Sequence, residues 1–127
     1  MKLLLIALAL TASSVSCTSR MAPNNAEVNS CRLLVAIGAQ YNQLLATERR
    51  ERMQVMRFAS EAAMNAYIEE TNRFLDEADR LNRLLVRFNA KHGEGKGLPP
   101  LLGNGATEQS AARASASADE CAAKFLE

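Results

Sequence analysis

The sequence predicts an all-α protein: a small helical hairpin or bundle of two longer helices plus a C-terminal Ala-rich helix. Three observations carry this. From Glu27 to Lys91 there is no Pro and only one Gly, Gly38, so nothing there forces a break. Ser60, Met64, Tyr67, Thr71, Phe74, Ala78, Leu81, Leu85 and Phe88 step by 4 and 3 in strict alternation, the spacing of a helix-packing seam, while the period-2 alternation of strands is absent. The composition, with no Trp, two Tyr and four Phe, relies on Leu, Ala and Met, which favour helix.

The N-terminal residues stand outside that fold. Lys2 precedes an unbroken apolar run, Leu3 to Leu10, which closes on Thr11-Ala12-Ser13-Ser14-Val15-Ser16. These are the charged, apolar and small-residue regions of a secretory signal peptide, assigned to residues 1–16. Crossing a bilayer takes about 20 apolar residues, so this run is not a permanent span. Ser14 and Ser16 supply the small residues that signal peptidase I reads for a cut before Cys17. Ser14-Val15-Ser16-Cys17 also resembles the bacterial lipobox in its last three positions and departs from it at Ser14, where that pattern has an aliphatic residue. The resemblance implies a lipidated Cys17 and, with Thr18 in the sorting position, an outer-membrane lipoprotein facing the periplasm. Cysteine arithmetic bears on the choice. Of Cys17, Cys31 and Cys121, an acylated Cys17 leaves Cys31 and Cys121 free to form a disulfide. The alternative cut gives a soluble periplasmic protein with a free terminal thiol. The count favours the lipoprotein.

Residues 17–27 read as a flexible tether, polar and aperiodic, with Pro23 inside. A first helix is expected over 28–46, with Leu34, Ile37, Tyr41 and Leu44 or Leu45 on its inner face. The run Thr47-Glu48-Arg49-Arg50-Glu51-Arg52 has no large apolar group, and it either bends the chain into a hairpin or forms the wet middle of one long helix. A second helix is expected over 53–92. Its seam is widened by Ile68, Leu75 and Leu84, and acid-first pairs Glu69–Arg73, Asp76–Arg80 and Asp79–Arg83 lie off it. His92 followed by Gly93 ends it. The linker 93–105 holds five of the six Gly and two of the three Pro. The last helix, 106–126, has Asn104 or Thr107 as its cap and an inner face of Ala111, Ala114, Ala118, Cys121, Ala122 and Phe125.

A Cys31–Cys121 disulfide would be worth about 4 kcal/mol in the chain-entropy model. It also constrains topology, because in a simple up-down-up bundle the two cysteines would sit at opposite ends. The linker can climb roughly 45 Å at ~3.3 Å per residue. The expected arrangement is therefore a crossover, with the last helix descending beside the first.

Candidate chemistry is sparse. Without the signal peptide about 110 residues remain, one small domain, with 14 acidic side chains balanced by the basic ones left once Lys2 is removed. A formal charge of zero gives no general electrostatic case for nucleic acid. Gly93-Glu94-Gly95-Lys96-Gly97 lacks the Ser or Thr after Lys, the preceding strand and the following helix of a phosphate-binding loop. His92 is the only histidine and reads as a helix-end cation; Glu69, Glu70, Asp76, Glu77 and Asp79 read as a salt lattice beside arginines. Tyr41 and Tyr67 read as core residues with a wet hydroxyl. No nucleophile, base and orienter can be named together, so the sequence points to no enzyme, no cofactor and no metal. The suggestive surface is basic: Arg80, Arg83, Arg87 and Lys91 recur at 3, 4 and 4 and share one helix face suited to an acidic partner or an anionic envelope polymer. The expectation is a non-enzymatic cell-envelope lipoprotein acting as a helical protein-interaction module, through that face or the last helix. The alternative is a soluble periplasmic inhibitor or immunity protein whose Gly/Pro loop 93–105 plugs a target's cleft.

Overall fold

The computed structural model describes residues 25–93 and 106–127. The expected signal peptide, Cys17, residues 18–24 of the expected tether and the linker residues 94–105 lie outside the described residues; residues 25–27, expected to end the tether, are instead helical, so the first helix starts at Asn25 and not at 28. Three helices and no strand occur among the described residues: α1 (Asn25–Met53), α2 (Glu61–His92) and α3 (Glu108–Phe125).

The structure resolves the open choice at 47–52 in favour of a hairpin, and it moves the break. The charged run is helical, because Glu and Arg are good helix formers and no Pro or Gly interrupts them. Helix α1 therefore runs to Met53 and not to 46. It ends in a tightening turn in which the N–H groups of Gln54, Val55 and Met56 bond the carbonyls of Glu51 and Arg52 at 3.1–3.3 Å. Helix α2 begins at Glu61 and not at 53. Ser60, read from sequence as a seam position, is instead its N-cap: extended at φ −157°, its Oγ accepts from the Ala63 N–H at 3.1 Å. Gly93 ends α2 at φ 81°, a left-handed backbone that glycine adopts without strain, and its N–H bonds Asn89 O at 2.9 Å. Thr107 caps α3 in a reciprocal box, its Oγ1 accepting from Ser110 N–H at 3.0 Å while Ser110 Oγ accepts from Thr107 N–H at 2.8 Å.

Cross-helix contacts fix the register. Arg49 meets Thr71, Gly38 meets Leu81 and Arg32 meets Gly93, so α1 and α2 are antiparallel. Glu27 meets Lys124, Cys31 meets Cys121 and Gly38 meets Ala114, so α3 also runs antiparallel to α1. Helices α2 and α3 are thus parallel, and α1 lies between them. This is the crossover expected from the cysteines, whose Cα atoms are 5.5 Å apart with the sulfurs at disulfide distance, 2.06 Å. The chain between Gly93 and Thr107 has to return the length of α3, about 27 Å.

The central place of α1 overturns the inner face expected for it. Leu34 is 36% exposed, and Ile37, Tyr41 and Leu44 are half-buried; of that set only Leu45 is buried. The buried apolar side chains are Val28, Cys31, Val35, Ala36, Ala39, Leu45 and Ala46, with Arg32, Gly38 and Asn42 buried among them. A helix packed on two sides buries a broad band, and small residues take the closest approaches, so the large apolar groups do not mark it. On α2 the seam largely holds: Thr71, Ala78, Leu81 and Phe88 are buried, joined by Leu84, while Tyr67, Phe74 and Leu85 are half-buried. Met64 is exposed because in this register the first turn of α2 reaches past the end of α1. On α3, Ala111, Ala114, Ala118 and Cys121 are buried as expected. Phe88, Leu81 and Val35 are the largest fully buried side chains and centre the core. No helix of the described residues is long and apolar enough to cross a membrane.

Candidate functional site

The cationic face expected on α2 divides in two. Arg80 reaches across the surface to α3: its Nη1 and Nη2 donate to Asp119 Oδ1 and Oδ2 at 2.8 and 3.3 Å, and its Nε donates to Glu77 Oε1 at 2.7 Å. The hydrogen bond to Asp119, and then that to Glu77, hold its guanidinium above the ordinary arginine value against a small burial effect. Arg80 is therefore a brace between α2 and α3 and not a free contact residue, which corrects its place in the partner-binding set. It also explains why the expected Asp76–Arg80 pair does not form. Nor do Glu69–Arg73 and Asp79–Arg83; among the described residues the remaining ion pairs are Arg49–Glu70 at 3.2 Å and Lys124–Glu27 at 3.2 Å.

Arg83, Arg87 and Lys91 are exposed and form no ion pair or hydrogen bond among the described residues. They recur every four residues, about 6 Å apart along the axis. Val86, 66% exposed, lies at the edge of this run beyond Arg83. The face thus sets three cations, without an ion pair among the described residues, beside one apolar side chain, and Arg87 and Lys91 flank the stripe that buries Leu84 and Phe88 in the core.

Two further clusters are structural. At the end where α2 and α3 both terminate, their carbonyl-rich ends carry partial negative charge. Arg32, only 6% exposed, donates through Nη2 to Gly93 O and through Nη1 to Asn29 Oδ1 at 2.8 Å. His92 serves α3 as well as its own helix: its Nε2 donates to Phe125 O at 3.0 Å, and its ring lies between those of Phe88 and Phe125. At the opposite end Arg49 lies 4.0 Å over the Tyr67 ring and donates to Thr71 Oγ1 at 2.9 Å and to Glu70, while Tyr67 Oη donates back to Arg49 O at 3.1 Å. The Tyr67 hydroxyl is thus bonded within the protein. Both arginines escaped the sequence reading, Arg49 because its charged neighbours made it look solvated and Arg32 because nothing in its spacing marks it.

An open groove of about 520 Å³ runs along α1 and α3 beside the disulfide, lined by Glu27, Ser30, Leu34, Ser117, Lys124 and Phe125 among others. No group of His, Cys, Asp or Glu able to hold a metal ion occurs among the described residues. Of the carboxylates singled out from sequence, Glu70 and Glu77 are engaged by arginines on separate parts of α2. The loop of the inhibitor alternative, 94–105, and Cys17 lie outside the described residues. Comparison with protein-family models, with curated proteins and with solved structures gives no match.

Proposed function

We propose that the chain is an exported, non-enzymatic lipoprotein of the bacterial cell envelope, held through an acylated Cys17, which works as a helical interaction module. The observation that carries the interaction reading is the run Arg83, Arg87 and Lys91, exposed on one helix and without an ion pair among the described residues. A partner with acidic groups, either a second envelope protein or an anionic envelope polymer, would satisfy these cations and cover Val86. The close approach of Cys31 and Cys121 supports an oxidising compartment, where such a pair forms and persists. It leaves Cys17 as the odd cysteine, free for the lipid.

The test takes envelope fractions from cells producing the wild-type chain or the Arg83→Glu, Arg87→Glu, Lys91→Glu variant. The wild type should carry an acylated N-terminal Cys17 by mass spectrometry and crosslink to an anionic component that the variant loses while keeping its helical circular dichroism. An unmodified Cys17 would remove the anchor, and equal crosslinking of both chains would remove the cationic face.

A further inference from the structure

The turn between α1 and α2 presents a surface unlike the rest of the molecule. Over residues 50–58 the exposed charges are Arg50, Arg52 and Arg57 against Glu51, and Glu61, exposed on the first turn of α2, adds a second acid. Among them Val55 is 82% exposed, Met56 is exposed, and Met53 and Phe58 are half-buried; Met64 is exposed close by on the first turn of α2. These apolar groups are not loose. Three backbone hydrogen bonds close the turn. Phe58 packs on Tyr67 at 5.5 Å between ring centroids, and Tyr67 is itself held by Arg49 from both its face and its hydroxyl. The fold thus places three exposed cations in the same turn as Val55 and Met56, which nothing among the described residues covers.

We propose that this tip docks the protein onto an anionic phospholipid surface, with Val55 and Met56 entering the headgroup region and Arg50, Arg52 and Arg57 meeting the phosphates. Charge complementarity chooses the anionic surface, since three exposed cations stand against two exposed acids, Glu51 and Glu61. Shape and size choose a lipid over a protein. The tip is the convex end of a hairpin about 43 Å long, and a specific protein interface needs about 800 Å² per partner, more than such a short turn offers. A fluid bilayer needs no matching cleft, and Arg beside small clusters of Met, Val and Phe is the composition that partitions into its interface. The contact is separate from the face of Arg83, Arg87 and Lys91 and does not depend on a lipid at Cys17.

The chain contains no Trp, so Val55→Trp places a sole indole on the tip. The full chain carrying it is mixed with vesicles of phosphatidylglycerol and phosphatidylcholine in equal parts, or of phosphatidylcholine alone. The expected result is a blue-shifted emission, quenched by brominated acyl chains, on the anionic vesicles only. Adding Arg52→Ala and Arg57→Ala should weaken that partition more than tenfold, since each cation near such a surface contributes about fivefold. Because the reporter sits on the tip, adsorption through any other part of the chain leaves it in water and counts against the proposal. It is overturned by an indole that stays water-exposed on both vesicles, by a shift indifferent to the two arginines, or by one that responds only to polyglutamate, an acidic polypeptide. Far-UV circular dichroism checks that the reporter chain keeps its helices, and Met56→Trp serves as the second reporter.

Discussion

At Gly38 all three helices come within a methyl group of one another. A Cβ placed there would lie 2.9 Å from Leu81 Cδ1 on α2 and 3.5 Å from both the carbonyl carbon and the Cβ of Ala114 on α3. Leu81 is fully buried, so its methyl has little room to retreat. Two effects then oppose each other at this position. Glycine inside a helix costs about 1 kcal/mol relative to alanine, while one methyl forced into a packed core costs a similar amount. Gly38→Ala should therefore be close to neutral. Gly38→Val adds two further carbons, and one of them must enter the Ala114 backbone, which cannot rotate aside. Its expected cost is about 2–3 kcal/mol, read as a lower urea midpoint at unchanged m. The glycine stands out in the sequence as an isolated residue in a long helical stretch. The two neighbours that require it do not, because they come from elements whose crossing no local pattern reveals.

A single exposed side chain caps the start of α2. Ser60 Oγ occupies the Ala63 N–H, one of the four donors that the start of α2 leaves without a partner in the helix. Ser60→Ala should cost about 1 kcal/mol by chemical denaturation, and Ser60→Asp should recover it, since Asp caps as well and adds a favourable charge at the positive end of the helix. This residue also shows why the helix boundaries were the less legible part of the sequence. Ser60 falls on the 4–3 rhythm of the seam, so periodicity claimed it for the helix interior, and no Gly or Pro marked the turn before it. The second helix was expected from 53, yet Val55 and Met56 are exposed in the turn at the tip. By contrast α3 was legible almost to its ends, because one face of small residues at 3 and 4 spacing leaves a single way to pack it. The candidate site was legible in the same measure. Arg83, Arg87 and Lys91 stand exposed on one face as their spacing implies, whereas Arg80 is drawn to Asp119, a partner 39 residues away that no helical repeat could supply.

The molecule as a whole is an α1–α2 hairpin to which α3 is attached by weak forces and one strong link. What α3 buries fully is Ala111, Ala114, Ala118 and Cys121, with Ala122 and Phe125 partly buried against the core, and at about 0.8 kcal/mol per buried methyl the three alanines contribute about 2–3 kcal/mol. Its ion pairs, Lys124–Glu27 and Arg80–Asp119, are largely exposed and add at most a few tenths each. Helix propensity from its many alanines favours α3, but a helix of 18 residues is marginal alone in water. The Cys31–Cys121 link spans 90 residues and, when formed, stabilises the attachment by about 4 kcal/mol. Reduction, or Cys31→Ser with Cys121→Ser, should therefore detach α3 before it unfolds the hairpin, whose contact is made by Val35, Leu81, Leu84 and Phe88 without it. Amide exchange read by mass spectrometry should show residues 108–125 losing protection while residues 31–46 and 71–91 retain it. Helical circular dichroism should fall by no more than the share of α3. If the reduced chain instead keeps α3 protected, the alanine face and the His92–Phe125 bond are enough to hold it; if all three helices exchange together, the bundle is one cooperative unit and the hairpin has no independent stability.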